Sequence, residues 1–289
     1  ATPDNHSNLY AAGIVFVGDG AYPVTTGAFD IDINGGELDP SYVYSRGFDV
    51  AISKFSKDGS QLLFASYLGG SGNETPHSLV VDQNDNLYLL GATSSANFPT
   101  TSNAFDVSFN GGSPTVNNNL YFSASDIYIA KVSSDGSELL SSTYVGGNGN
   151  DGLNTGSLDY NYGDSFRGEI IHGKDGFIYV SSTTKSSDFP TVSAFQNQLK
   201  GLQDAAVFKI SDDLKTMAWS SYFGGSGYET GNSIQKSTSG DLYFTGGTSS
   251  TDISNFNGHK TTFNGGLSDG YLIRLNSNNG NIINSTFVG

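Results

Sequence analysis

Apolar positions along this chain fall in short runs, rich in β-branched and aromatic residues and bounded by Gly, Asn or Asp, so each run reads as a short strand. The runs recur in step. One set is NLYAAG (8–13), NLYLLG (86–91), FIYVSS (177–182) and DLYFTG (241–246). A second is FDVAISKFS (48–56), SDIYIAKVS (125–133), DAAVFKIS (204–211) and DGYLIRLN (269–276). A third is SQLLFASYLGG (60–70), SELLSSTYVGG (137–147), KTMAWSSYFGG (215–225) and NIINSTFVG (281–289). Self-similarity at a fixed period is the mark of a repeat architecture.

Before each later member of the first set lies another apolar segment, SLVVD (78–82), EIIHG (169–173) or NSIQK (232–236), so one unit is four strands, A to D. The A–B link QNDN (83–86) and the C–D link SSDGS (133–137) carry the residues that hairpin turns favour. Four antiparallel strands repeated radially make a β-propeller blade, whereas solenoid units are shorter. The expectation is all-β, with about four blades at 1–77, 78–154, 155–231 and 232–289. Because ATPDNHSN matches an A–B turn, the first blade is expected to lack its innermost strand. The last strand stops at Gly289, so the expected whole is a longer chain closing a ring of about six to eight blades.

A chain of 289 residues, 36% hydrophobic, can bury a substantial core, and the absence of cysteine excludes disulfides and thiolate metal sites. The formal charge of −15 argues against nucleic acid and anionic lipid as partners. The N-terminal ATPDNHSNLY has neither the basic start nor the apolar stretch of a signal peptide, and no segment is apolar enough to insert in a membrane. Low charge, high Asn, Ser and Thr and no Cys favour a bacterial exported protein.

The stretch DIYIAKVSSDGSELLSSTYVGG (126–147), followed by GNGND, and the stretch NLYLLGATSSANFPTTSNAFD (86–106) resemble the SBBP-type β-propeller repeat, in three good copies and a weaker fourth. The resemblance implies a propeller, usually seven-bladed, in large secreted or surface-exposed bacterial proteins. It also implies, for gliding Gram-negative bacteria, type IX secretion and its machinery as a partner, although no sorting domain is visible here.

A residue copied into every unit serves the unit, whereas a ligand group is needed once. Asp49 and Lys54, Asp126 and Lys131, Asp204 and Lys209, and Asp269 and Arg274 lie five apart on strand C. Odd spacing puts acid and base on opposite faces, each with a partner in its own or an adjoining unit. Glu74, Asp151 and Glu229 share one offset in the loops GGSGNET, GGNGNDG and GGSGYET. There glycines permit positive φ, and the carboxylate can accept the backbone N–H groups that such a turn exposes. No cofactor is expected. Calcium is the alternative at these oxygen-rich loops, although no segment fits an EF-hand. His6, His77, His172 and His259 show no metal-ligand spacing and read as turn or strand-end residues.

Unrepeated insertions sit on B–C and D–A links, at 34–47, 110–125 and 151–168, which places them on one rim. They carry Tyr42, Tyr44, Arg46, Tyr121, Phe122, Tyr160, Tyr162 and Arg167, residue types that anchor interfaces and stack on sugars. Packing over the sheet tops is the alternative role. The functional expectation is non-catalytic: binding to a protein or polysaccharide surface, or a spacer without a ligand. A polysaccharide-cleaving enzyme would have to use isolated acids such as Glu37, Asp39, Asp159, Asp164 and Glu169.

Overall fold

The computed structural model describes residues 1–20, 22–39, 46–161, 163–253 and 256–289. Four antiparallel four-stranded sheets follow one another along the chain. The first contains β1 (Thr2–Pro3), β2 (Leu9–Phe16), β3 (Phe48–Phe55) and β4 (Leu62–Leu68). The second contains β5 (Glu74–Val81), β6 (Leu87–Thr93), β9 (Asp126–Val132) and β10 (Leu139–Val145), with a hairpin of β7 (Thr115–Asn117) and β8 (Leu120–Phe122) inserted. The third runs β11 (Glu169–His172), β12 (Phe177–Thr184), β13 (Asp204–Ser211) and β14 (Met217–Phe223). The fourth runs β15 (Ser233–Lys236), β16 (Leu242–Thr248), β17 (Asp269–Leu275) and β18 (Ile282–Val288).

Two expectations need correction. The first sheet does have an innermost strand, the two-residue β1, which pairs Thr2 with Tyr10 and Pro3 with Leu9 ahead of the turn. The second begins at Glu74 and not at Ser78, because a bulge between Pro76 and Ser78 lets β5 continue through the threonine and proline that seemed to belong to the loop. His77 therefore sits inside a strand and not at its end.

The cores lie between consecutive sheets. Tyr10, Val50 and Ile52 pack with Leu87, Leu89 and Tyr128 between the first two. Leu90, Ile127 and Ile129 meet Ile178, Val180 and Phe208 at the next junction, and Tyr179, Val207 and Trp219 meet Phe244, Tyr271 and Ile273 at the last. Central strands are covered on both faces, which is why all seven residues of β6 are buried and its sequence does not alternate cleanly. Each large side chain buried this way stabilises the stack by about 1.5–3 kcal/mol.

Candidate functional site

The repeated charges fasten the lower ends of the sheets. Lys54 pairs with Asp4 at 3.0 Å, Lys131 with Asp82 at 3.1 Å and Lys209 with Asp175 at 3.6 Å, while Arg274 pairs with Asp241. The acids come from the A–B turns. Each lysine also lies over a tyrosine of strand B, at 4.6 Å for Tyr10, 4.8 Å for Tyr88 and 5.1 Å for Tyr179. In every sheet the register of strands C and D shifts beside this basic residue. The neighbouring sheet completes the tie: Lys54 donates to the Ser134 carbonyl, Tyr88 to that of Asp212, and Lys209 and Trp219 to that of Ser277.

At the upper ends the repeated acids come together in pairs. Asp49, Asp126 and Asp204 accept backbone N–H groups of their B–C loops, from Asn34 at 2.7 Å, Asn110 at 2.7 Å and Lys200 at 3.0 Å. Glu74, Asp151 and Glu229 accept the N–H of Gly70, Gly147 and Gly225 and a hydroxyl at the end of a strand B, from Thr93, Ser186 or Thr248. Gly69, Gly146 and Gly224 each lie against both acids of a pair. These three glycines do not have positive φ, although Gly152 of the same loops does, at 86°. Glycine is required because a Cβ on Gly69 would stand 2.5 Å from Asp49 Cγ and 2.7 Å from Glu74 Oε2. Burial pushes the pairs above the usual carboxylate range, to about 8 for Asp126 with about 7 for Asp151, and to about 6 for Asp204 with about 7 for Glu229; Asp49 and Glu74 move the same way. Two adjacent buried carboxyls cannot both ionise cheaply, so each pair holds a proton up to near-neutral pH.

The insertions on the upper rim interlock. The Glu37 carboxylate accepts the Ser123 N–H at 2.8 Å and its hydroxyl at 2.5 Å, while the Asn73 amide donates to the carbonyls of Glu37 and Tyr121. Asn117 donates to the Asn154 carbonyl and Asn118 to the Ser165 hydroxyl, joining the second insertion to the third. Beneath this network Phe48, Phe122 and Leu153 form a small core of their own with Phe16 and Phe166. Phe122 is therefore a packing residue with no exposed surface, and its expected ligand role is withdrawn. Tyr121 is half-buried. Arg46 donates to the Val17 carbonyl, pairs with Asp19 and lies 5.6 Å over Phe16. Tyr42, Tyr44 and Tyr162 lie outside the described residues.

Tyr160 and Arg167 do converge. They line a cleft of about 380 Å³ between the third insertion and the fourth sheet. Tyr160 is 55% exposed, and Arg167 pairs through Nε with Asp164 at 2.8 Å, leaving both Nη groups free of partners among the described residues. Sequence reading missed Asn154, Asn232 and Ser268 on the walls and Gly246, Gly247 and Gly270 on the floor. The signal is a break in the repeat. Gly247 pairs with Gly270 across the fourth sheet, where the others pair Ile14 with Val50, Ala92 with Ile127 and Thr183 with Ala205. Two side chains are missing at one point, and the space they leave is the cleft floor.

The comparisons with known proteins bear on the junction between the first two sheets. Residues 63–99 match the family SBBP, described as a β-propeller repeat. This chain carries an SBBP repeat. The SBBP segment spans most of β4, the loop with Gly69 and Glu74, and β5 and β6, and the same carboxylate arrangement recurs at the two later junctions. A crystal structure of a protein of unknown function from Dyadobacter fermentans DSM 18053 is 13% identical to this chain, covering 89% of it and 61% of the Dyadobacter chain, with a TM-score of 0.44. No curated protein matches.

Among the described residues, one group of three metal-type ligands gathers: Asp4, His6 and Asp85. Asp4 already accepts two backbone N–H groups, the Asn8 amide and the Lys54 ammonium, so a cation of the protein's own stands where a metal would. Burial pulls His77 down to about 3, and its Nδ1 has no partner among the described residues. The acids an enzyme would need are engaged by neighbouring groups: Glu37 by Ser123, Asp159 by Ser165, Asp164 by Asn161 and Arg167, and Glu169 by Ser233, Ile234 and Gln235 of β15. Asp39 is engaged as well. No helix among the described residues is long and apolar enough to cross a membrane.

Proposed function

We propose that this chain is a non-catalytic binding and scaffold module of an exported bacterial protein, about four blades of a larger propeller, with its ligand face on the elaborated upper rim. One observation carries the reading. Repeated charges and lone acids are consumed by the fold, whereas Tyr160, Arg167, Asn232 and Ser268 keep free polar groups at one cleft. Exposed aromatic and arginine side chains in loops held by a rigid scaffold are the usual material of recognition. A general acid or base, by contrast, must reach a substrate proton, and the rim acids Glu37, Asp159, Asp164 and Glu169 are already engaged by neighbouring groups. The partner in this proposal is a protein or polysaccharide surface, no nucleic acid is bound at a charge of −15, and type IX machinery is a further partner if that route exports the protein. No metal is required, so chelation by EDTA should leave both melting temperature and binding unchanged.

The test is adhesion of the intact protein to bacterial cells and to immobilised polysaccharide. Tyr160→Ala and Arg167→Ala should each weaken it at least tenfold, while Asp159→Asn leaves it intact. Glycan turnover that disappears in Asp159→Asn or Asp164→Asn would overturn the proposal in favour of an enzyme, and wild-type protein that adheres to nothing would leave a spacer.

A further inference from the structure

The cleft is more specific than a general contact surface, and the following rests on the reading of the rim as a ligand face. Its walls offer Asn232 and Ser268, whose side chains make no hydrogen bond with the described residues, the free Nη fork of Arg167, and the hydroxyl and open ring of Tyr160. Leu158, itself almost buried, is the apolar side chain of the lining. An apolar ligand would thus leave amide, hydroxyl and guanidinium groups stripped of water and unpaired, which disfavours it.

Charge narrows the class. Asp164 and Asp269 face the cleft against a single arginine, and the whole chain is strongly acidic, so an anionic ligand is repelled. A ligand rich in hydroxyls is both donor and acceptor at each position and meets this mixture of amide, hydroxyl, carboxylate and guanidinium without a net charge. The floor of bare backbone at Gly246, Gly247 and Gly270 admits a flat ring closely, and Tyr160 offers an aromatic face at the mouth. The volume of about 380 Å³ lies at the small end of ligand pockets, which suits one or two sugar rings and not a folded partner. We infer that the cleft between residues 154–167 and the fourth sheet binds an uncharged pyranose unit of a glycan.

The floor supplies a clean test. A Cβ on Gly247 would meet its nearest neighbours, Thr230 Oγ1 and Leu158 Cδ1, at 3.5 and 3.7 Å, which is ordinary contact, and its φ is not positive. A Cβ is therefore accommodated at this position, and Gly247→Val is the variant chosen to narrow the cleft. The intact protein is titrated by calorimetry and by NMR with neutral gluco-, galacto- and manno-oligosaccharides and, separately, with uronate oligosaccharides. The expected result is saturable binding of at least one neutral series, lost in Gly247→Val at an unchanged melting temperature and weakened at least tenfold in Asn232→Ala or Ser268→Ala. Should Gly247→Val prove unstable, the latter two variants decide alone. Neutral binding unaffected by these variants overturns the site, and binding of uronates alone overturns the ligand class. If no saccharide binds while adhesion still depends on Tyr160, the sugar assignment falls and the binding function stands. If adhesion is absent too, both fall.

Discussion

One methyl group separates the two roles that glycine plays here. Gly146 lies against Asp126 and Asp151, whereas a Cβ on Gly247 would meet Thr230 and Leu158 only at ordinary contact distance. Gly146→Ala should destabilise the protein by about 1–3 kcal/mol through overpacking, while Gly247→Ala should stay within about 0.5 kcal/mol of wild type, as surface changes do. Urea unfolding midpoints check both. The aromatic candidates divide the same way: Phe122→Ala empties a site with no exposed surface and should destabilise by about 3–5 kcal/mol, and Tyr160→Ala should leave stability unchanged. Equal losses for the two would contradict the assignment of Phe122 to packing and Tyr160 to recognition.

At the scale of elements, the hairpin of β7 and β8 shows where sequence reading stops. Its turn residues Asn118 and Asn119 have φ of 48° and 64°, the left-handed pair that a two-residue hairpin needs and that asparagine tolerates. Asn118→Val should strain that turn by about 1–3 kcal/mol and raise amide exchange in Thr115–Phe122 and not in the sheets; uniform exchange would show that the insertion has no structure of its own to lose. The four long strand sets were legible because strand length, turn residues and period agree across the units. This hairpin was not, because three-residue strands in NGGSPTVNNNLYFSAS carry too few positions to reveal alternation. The cleft was half legible. Tyr160 and Arg167 stood out as unrepeated, but the floor depends on Gly247 lying opposite Gly270, a fact of register between strands whose partners are twenty-three residues apart and invisible until they are paired.

For the whole molecule, the carboxyl pairs govern the response to pH. The pKa values of Asp126, Asp151, Asp204 and Glu229 lie above those of the unfolded chain, so between about pH 4 and their folded values the native state holds protons that the unfolded state has released. Their contribution is complete below about pH 4 and is lost as pH rises through the folded values. His77, held neutral by burial, acts oppositely below about pH 6.5, and Asp82 and Asp175, held low despite burial by hydrogen bonds from Asn86 and Tyr179, matter only in stronger acid. The carboxyls outnumber the buried imidazole, so the melting temperature should be higher at about pH 5 than at about pH 8.5. Asp126→Asn, which replaces the shared proton with an amide hydrogen, should flatten that difference. A melting temperature that rises steadily from pH 5 to 8.5 would contradict the pairing. The ties at the lower ends have another consequence. Lys54, Tyr88, Lys209 and Trp219 all reach forward, each into a turn of the next sheet, and Lys236 of the fourth sheet reaches back to Gly173 and Asp175 of the third. The array is thus clasped junction by junction, and a protein stretched between its two ends in a force-measuring tether should give way in discrete steps, one sheet leaving the row at a time, and not in a single rupture.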